Sequence, residues 1–565
     1  MSMADLIRDT PIGQIARYLT GDRVLLYPEE LPGFVCPLSF NDRNSHQQSE
    51  SSSTNTATPS TNDIEPGASN QVKEKTASSP YLVDWYSDND PENPQNWSGW
   101  RKAFVTFQIC MYTLAVYLGS AIYTPSETGI KEYFGVSQTV AALGLSLYVL
   151  AYGIGPLIFS PLSEIPSVGR NWPYITTMII FVIICVPTAL VDNIGGLLVL
   201  RFLQGFFGSP ALATGAASLA DIFPMILLPY TLCLWAMAAT SGPALGPVIS
   251  GFSVPAETWR WSMWEILWLS GPVLILMILF LPETSSHNIL LRRAQRLRKV
   301  TGDLQLQSHS EVVQSGLTAR DVAFEALVRP MQMIILDPAI AYTAGYAALC
   351  YAIYYSFFEV FPMVYIELYG FNVGEMGLTF LSITVGTVVA IAMYYVYLHF
   401  VVGPAIRSGA PDIPEYRLIP ALFASFLLPT GLFIFAWTGN GHTHWIVSVI
   451  GIFFFTVGMF LVMQSIFAYL PAVYPQFTAS TFAGNDFARS SLAFAAVMFS
   501  RPMYEAMGIG PGTSLLGALT AACIAGIFLL FFYDGGWRLD SGCTTVVTSV
   551  LRMELRIDFG EHRSF

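Results

Sequence analysis

The feature that most constrains this chain is its series of long apolar stretches. Twelve runs of about 19 to 25 residues follow residue 102, each long enough to cross a hydrocarbon core of about 30 Å as a helix. Hydrophobic residues make up 53% of the 565 residues and charged residues only 12%, about half the share in a soluble domain. The sequence therefore predicts an all-α membrane protein. The expected spans are 103–124, 139–161, 173–191, 196–220, 230–252, 261–282, 339–362, 374–398, 418–438, 445–468, 479–499 and 513–533.

These spans divide the chain into five regions. Two groups of six spans flank a polar central loop that carries the densest basic run, at 292–299. Residues 41–80 are rich in Ser, Thr, Asn and Gln and poor in aliphatic residues, so we expect the N-terminal region to be largely disordered. The predicted regions are the cytoplasmic N-terminal region 1–102, the first six-helix bundle 103–282, the cytoplasmic central loop 283–338, the second six-helix bundle 339–533 and the cytoplasmic tail 534–565.

The basic residues set the predicted orientation. With both termini in the cytoplasm, the inner loops and termini hold 22 of the 27 Lys and Arg residues and the outer loops hold 3, as the positive-inside rule requires. No Gly-Lys pair occurs, so a phosphate-binding loop for ATP is not expected, nor is a basic field for nucleic acid. Neither HExxH nor a metal-ligand cluster is seen, and we expect no cofactor, no metal and no enzymatic activity.

The fifth predicted span contains the clearest pattern, SGPALGPVISG at 241–251. Gly242 and Gly246 are four residues apart, as are Pro243 and Pro247, so each pair lies on one helical face, and Gly251 follows. Prolines bend a helix and glycines let a neighbouring backbone approach. The pattern fits either a helix that moves during transport or a kinked packing helix.

Two charged residues mark the fourth span. Arg201 lies near its start, where a guanidinium either reaches the outer headgroups or stabilises a polar interior and tunes a proton-carrying group. Asp221 closes the span, about 30 Å along the helix from Arg201, too far for direct pairing. It is a candidate proton site or an interfacial anchor.

The loop between the second and third spans has an acid at one end and a base at the other. Gly155 opens the segment, Glu164 ends its apolar part, and Gly169-Arg170 follows. An ion pair in such a loop either forms in only one state of a moving protein or is a weak contact in solvent.

The second half offers two further groups. Tyr354, Phe357, Phe358 and Glu359 lie in the seventh span, where the aromatic rings form either an interfacial belt or the lining of a substrate cavity with a protonatable carboxylate. The eleventh span holds Asn485 together with Asp486 and Arg489, which are three residues apart and able to neutralise each other on one helical face.

These residues resemble those of the major facilitator superfamily, and within it the fungal twelve-span drug:proton antiporters of the benomyl, methotrexate and fluconazole resistance type. The pattern at 242–251 resembles the antiporter motif, Arg201 with Gln204-Gly205 resembles the fourth-helix arginine motif, and 155–170 resembles the inner-loop motif, with Glu164 where many members have Asp. More specific to the subgroup are YPEE at 27–30, DPENPQNW at 90–97, WRW at 259–261, LPET at 281–284 and FFEVFP at 357–362.

The resemblance implies two six-helix bundles around a midplane cavity and alternating access by rocking. It implies efflux of small amphipathic organic compounds across the plasma membrane, driven by protons, with Arg201 and Asp221 in proton coupling and with the lipid bilayer as surroundings. Export of an endogenous secondary metabolite remains open, and uptake of a nutrient or a non-transporting receptor are further alternatives. The tail after Tyr533 departs from the short basic tail of the family, which raises the question of a gene-model error.

Overall fold

The computed structural model describes residues 7–34, 82–303, 305–314, 324, 327–407, 414–474 and 478–537. The described residues are mostly helical, with one pair of two-residue strands. The segment 41–80, for which disorder was predicted, lies outside them. The last helix extends to Trp537, and the rest of the predicted tail also lies outside the described residues.

Twelve long helices follow the N-terminal region, as the sequence predicts. Within the described residues, eleven helices are long and apolar enough to cross a membrane by length and composition. The remaining one, Thr478–Met507, is 30 residues long but carries polar side chains, and it contains the predicted span 479–499. We number the helices as spans 1 to 12. Their bounds are Gly99–Phe134, Gln138–Glu164, Asn171–Leu190, Ile194–Ile222, Leu228–Ala256, Trp261–Phe280, Pro338–Leu368, Val373–Val402, Pro414–Thr438, Trp445–Val473, Thr478–Met507 and Ile509–Trp537.

Span 1 differs most from its predicted bounds. It bends at Pro125, because proline cannot donate the backbone hydrogen bond that continues a helix, and then resumes as Glu127–Phe134. The prediction ended this span at residue 124. The span therefore continues beyond that end and brings a buried carboxylate, Glu127, into the helical part of the chain.

The two halves of the membrane domain meet along two seams. Span 2 packs against span 11, and span 5 packs against span 8. Glycines permit both contacts, because a Cβ on Gly153 would lie 2.3 Å from the Cβ of Ser490, and a Cβ on Gly377 would lie 2.3 Å from the carbonyl oxygen of Pro247. One continuous core of aromatic and aliphatic residues extends through both halves.

The described parts of the N-terminal region, 7–34 and 82–98, contain regular structure. A helix at Pro11–Thr20 and a parallel pair of strands, β1 (Leu82–Val83) and β2 (Gln307–Ser308), join this region to the central loop. The strands lie beside a linker helix, Ser286–Thr301, that follows span 6. We call these segments the N-terminal assembly. Among the described residues of the central loop, two further helices are His309–Gln314 and Arg329–Leu336.

Candidate functional site

Arg201 is buried inside the first half and does not reach a headgroup region. Its Nε donates to the carbonyl of Gly144 at 3.1 Å, and its Nη2 donates to the carbonyl of Ser120 at 3.0 Å. Its Nη1 donates to the side-chain oxygen of Gln204 at 3.2 Å. The interpretation of Arg201 as a snorkelling residue is therefore wrong, because helix carbonyls and an amide, not lipid headgroups, solvate its charge.

Two tyrosines cover the guanidinium of Arg201. The ring of Tyr148 lies 4.5 Å and the ring of Tyr123 lies 5.0 Å from its central carbon. Electron-rich faces at such distances stabilise a cation that has left water. Arg201 is thus a fixed positive charge at the contact of spans 1, 2 and 4.

The glycines of span 5 bring it against both halves. A Cβ on Gly242 would lie 2.7 Å from the Cβ of Tyr117, and one on Gly246 would lie 2.6 Å from the backbone nitrogen of Ile122, both in span 1. A Cβ on Gly251 would lie 2.9 Å from the carbonyl oxygen of Val373 at the start of span 8. Side chains larger than hydrogen do not fit these positions without displacing backbone.

Pro243 and Pro247 lie inside span 5, and both are buried. They leave carbonyls of the preceding turn without their usual helical donors. In the same part of span 5, the carbonyl of Thr240 accepts a hydrogen bond at 2.9 Å from the hydroxyl of Tyr354 in span 7. A backbone acceptor of span 5 is therefore used by the second half.

Asp221 is paired with the base of the preceding inner loop. Its Oδ2 lies 3.2 Å from the Nε of Arg170. The Nη1 of Arg170 also donates to the Ser163 hydroxyl at 3.0 Å. Burial lowers the pKa of the Arg170 guanidinium, but attraction to Asp221 and Glu164 outweighs it, and the pKa lies above its ordinary value. Arg170 of the inner-loop motif and Asp221, which were predicted as separate candidates, thus form one ionic contact between the loop and span 4.

The glycines of the inner loop have separate roles. Gly169 adopts φ +76°, a conformation that favours glycine, and a Cβ there would lie 2.5 Å from Oε2 of Glu283. Gly155 lies against span 4, where a Cβ would come within 1.9 Å of the Ser209 hydroxyl. A side chain at either position would therefore clash with a neighbouring side chain.

Glu283 is a structural residue whose contacts the sequence did not reveal. Its carboxylate accepts hydrogen bonds from four backbone N–H groups, those of Arg170, Asn171, Thr284 and Ser285, at 2.9 to 3.1 Å. Two of these groups lie at the start of span 3, where the helix dipole also favours an anion. The LPET segment was the available signal, but its spacing does not show which backbone it contacts.

The aromatic residues of span 7 lie inside the protein. Tyr354, Phe357, Phe358 and Glu359 are all buried, so the interfacial belt is not observed. Phe358 stacks on Phe380 at 5.1 Å between ring centroids. The interpretation as an interior lining is the one that agrees with this placement.

Tyrosine hydroxyls connect the two halves near Arg201. Tyr152 of span 2 contacts the hydroxyl of Tyr351 through a short hydrogen bond and donates to Tyr355 at 2.8 Å. The Tyr355 hydroxyl also lies 3.1 Å from Oγ of Ser120, whose carbonyl receives Arg201. Ser120 therefore connects the fixed charge to the contact between the halves.

The polar residues of span 11 complete this interior region. Arg489 donates to Asp486 at 2.7 Å, and its guanidinium lies 4.7 Å from the ring of Tyr351. Asn485 is 1% exposed, and neither polar atom of its side chain has a hydrogen-bond partner. Such an amide is available to a solute or water, since a buried amide without a partner is costly.

A second polar group was missed by the sequence prediction. The carboxylate of Glu127 accepts a hydrogen bond from the side-chain nitrogen of Gln138 at 2.9 Å. Gln138 also lines a pocket together with Glu359 and Arg501. A buried acid directly after an apolar run was the signal, but the predicted end of span 1 placed Glu127 in a loop.

Comparison with known proteins gives a consistent result. A family profile described as Major Facilitator Superfamily matches residues 109–497. "MFS-type transporter pyvG" of Aspergillus violaceofuscus is 46% identical, with 95% of this chain and 99% of that protein covered. "Fluconazole resistance protein 1" of Saccharomyces cerevisiae is 42% identical over 82% of this chain and 85% of its own length. "Cycloheximide resistance protein" of Candida maltosa is 37% identical over 95% and 99%, respectively.

Solved structures agree on the fold. The proton:xylose symporter XylE aligns with a TM-score of 0.53 over 77% of this chain and 97% of that chain. The human organic anion transporter MFSD10 aligns with a TM-score of 0.51 over 75% and 99%. At 13% and 14% identity these matches concern the fold alone.

Proposed function

Because the chain belongs to the major facilitator superfamily, we propose that it exports small amphipathic organic compounds, including drugs, in exchange for protons. It is a transporter and not an enzyme. The observation that carries the proposal is the position of span 5, whose glycines contact span 1 on one face and span 8 of the other half on another. The relatives named for fluconazole and cycloheximide resistance support a drug substrate.

Alternating access requires the halves to separate and reclose at their seams. Gly251 and Gly377 let spans 5 and 8 meet with backbone in contact, and such a surface has no long side chains that must separate when it opens. Gly242, Pro243 and Pro247 would set the curvature of span 5 during this movement. The proposed membrane is the plasma membrane, with both termini in the cytoplasm.

Arg201 is the proposed centre of proton coupling. Its guanidinium keeps its proton, so it acts by raising the electrostatic cost of any further positive charge nearby. Hydrogen bonds to the carbonyls of Gly144 and Ser120 fix its position, and Ser120 also contacts Tyr355 of the other half. A change at the seam is therefore transmitted to the charged site. Asp221 has the lesser proposed role, because Arg170 already occupies its carboxylate.

The substrate would bind between the aromatic residues of span 7 and the polar face of span 11. Tyr354, Phe357 and Phe358 offer apolar surface and π faces, which suit amphipathic molecules. Asn485 offers a donor and an acceptor without partners, and Glu359 offers a carboxylate.

The test is efflux of a fluorescent amphipathic dye from yeast cells that lack their own pumps. We expect protonophore-sensitive efflux from the native chain, loss of efflux in Arg201→Ala, and loss in Arg201→Lys, since an ammonium cannot reproduce the directed bonds to two carbonyls and an amide. The matched control is Arg260→Ala, because Arg260 pairs with the exposed Asp192 at the end of the first half. Full efflux by Arg201→Ala protein at the plasma membrane would refute the coupling role.

A further inference from the structure

Two buried carboxylates lie at the end of the membrane domain opposite the N-terminal assembly, and both are neighbours of Gln138. Glu127 lies on the second segment of span 1, and Glu359 lies near the end of span 7, so each half contributes one acid. Their side chains are 4% and 2% exposed. Under the predicted orientation this is the extracellular end.

Each of these carboxylates has an oxygen without a hydrogen-bond partner. Oε1 of Glu127 and Oε1 of Glu359 are both buried and unbonded. The other oxygen of Glu127 accepts from Gln138, and Gln138, Glu359 and Arg501 line the same pocket. Two buried carboxylate oxygens therefore lack a donor here, and a carboxylic O–H would supply one.

The single cation in the described lining of this pocket is shared with other acids. Arg501 of span 11 pairs with Glu505 at 2.9 Å and with Glu367 at 3.3 Å, both of which are more than half exposed. The charge of Glu359 repels and that of Arg501 attracts the Glu127 carboxylate. Arg501 is thus already paired with two exposed acids, and the two buried acids have less water to solvate a charge. Ionising both would be costly, as for any two acids in one site of low dielectric.

We propose that Glu127 and Glu359 bind one proton between them and form the extracellular proton-exchange site of the transporter. The proton moves from external water onto one of the free oxygens, and the other carboxylate accepts a hydrogen bond from it. Tyr123, four residues before Glu127, lies over the guanidinium of Arg201 and so connects this site to the fixed charge. Because the two acids belong to different halves, their shared proton stabilises the contact between the halves, and its loss favours separation. This inference rests on the proposed proton coupling.

Infrared spectroscopy of the purified full-length protein tests the site without transport. The C=O stretching band of a protonated carboxylic acid is recorded across a pH series for the native chain, Glu127→Gln/Glu359→Gln, and the control Glu132→Gln on the exposed face of the same helical segment. We expect a band equivalent to one carboxylic acid at neutral pH in the native chain and in the control, and its loss in the double variant. An unchanged band in the double variant would overturn the inference.

Single variants keep the test decisive if the double variant does not fold. Either Glu127→Gln or Glu359→Gln removes one partner of the shared proton, so a native band in both singles would also overturn the proposal. Dye efflux distinguishes failure of the proton site from failure of proton-driven export. If the band is lost in the double variant but native efflux is insensitive to protonophores, the proton site is supported and proton-driven export is refuted. If native efflux is protonophore-sensitive but the band is unchanged in the double variant, proton-driven export is supported and the proton site is refuted.

Discussion

Replacing Arg293 by alanine should open the N-terminal assembly. The Arg293 side chain is 1% exposed, and its Nη1 lies 2.7 Å from Asp90. Its Nη2 lies 3.0 Å from Glu92 and its Nε lies 3.3 Å from Glu29, while the ring of Tyr86 lies 4.2 Å from its central carbon. The variant leaves three buried carboxylates with fewer cations.

The expected cost follows from these contacts. Removing one partner of a buried ion pair typically costs about 3 to 5 kcal/mol, because the opposite charge stays buried without compensation. Arg296, which also pairs with Glu92 and Glu29, remains and keeps the loss from being larger. Burial raises the pKa of Glu92 against the attraction of both arginines, so this acid is the first to take up a proton in the variant.

Hydrogen exchange measured by mass spectrometry detects this opening locally. If exchange in Leu82–Val83 and in Ser286–Thr301 proceeds through opening of the assembly, a loss of about 3 to 5 kcal/mol raises its rate by about 10² to 10⁴. The spans should keep their protection, because the assembly lies outside the membrane domain. The matched control is Lys299→Ala on the same helix, whose exposed pair with Asp22 contributes less than about 1 kcal/mol.

The reasoning fails if Arg293→Ala changes exchange no more than Lys299→Ala does. It also fails if protection is lost equally in the spans, since that would place the effect in global stability and not in the assembly. Arg293→Met, which keeps the length of the side chain without its charge, should resemble alanine, since the predicted loss is electrostatic.

Three further predictions concern other contacts. Gly246→Leu should abolish efflux or folding, since its side chain would enter the backbone of span 1, whereas Gly271→Leu, at an open position, should preserve both; localisation and dye efflux check this. Asp221→Asn should lower efflux, and Arg170→Gln in addition should lower it little further, because the two residues form one contact; a double-mutant cycle measures the coupling. Burial raises the pKa of Asp90, but the hydrogen bond and charge of Arg293, together with two backbone N–H donors, bring the pKa below its usual value. The contribution of Asp90 to the assembly is therefore present above about pH 4 and lost as pH falls. Hydrogen exchange at pH 3 to 6 should show that loss, and Asp90→Asn should remove it.

Apolar length and glycine spacing predicted the membrane fold because both are local properties of the sequence. A span needs about 20 apolar residues, and a glycine pair four residues apart lies on one face wherever the helix packs. The polar segment predicted as span 11 lies within the helix Thr478–Met507, where Asp486 and Arg489 pair within one turn.

The polar contacts of the site were not predictable in the same way. Arg170 meets Asp221, and Arg293 meets Asp90, across 51 and 203 residues of sequence, and no spacing rule connects such positions. Glu127 was missed for a different reason. The helix of span 1 continues after the turn that contains Pro125. Glu127, which the predicted end of the span placed in a loop, is therefore helical and buried between the halves.

The contacts within each half differ from those between the halves in a way that suits a protein that interconverts between two states. The ion pairs Arg170–Asp221 and Asp486–Arg489 each join residues of one half, so movement of the halves does not break them. The seam is bridged by the neutral hydroxyls of Tyr152 and Tyr355, whose hydrogen bonds contribute about 0.5 to 1.5 kcal/mol each. A few such bonds amount to a few kcal/mol, which is the usual free-energy difference between two populated conformations. One proton or one bound solute is then sufficient to shift the equilibrium, whereas a buried ion pair across the seam would hold the halves together.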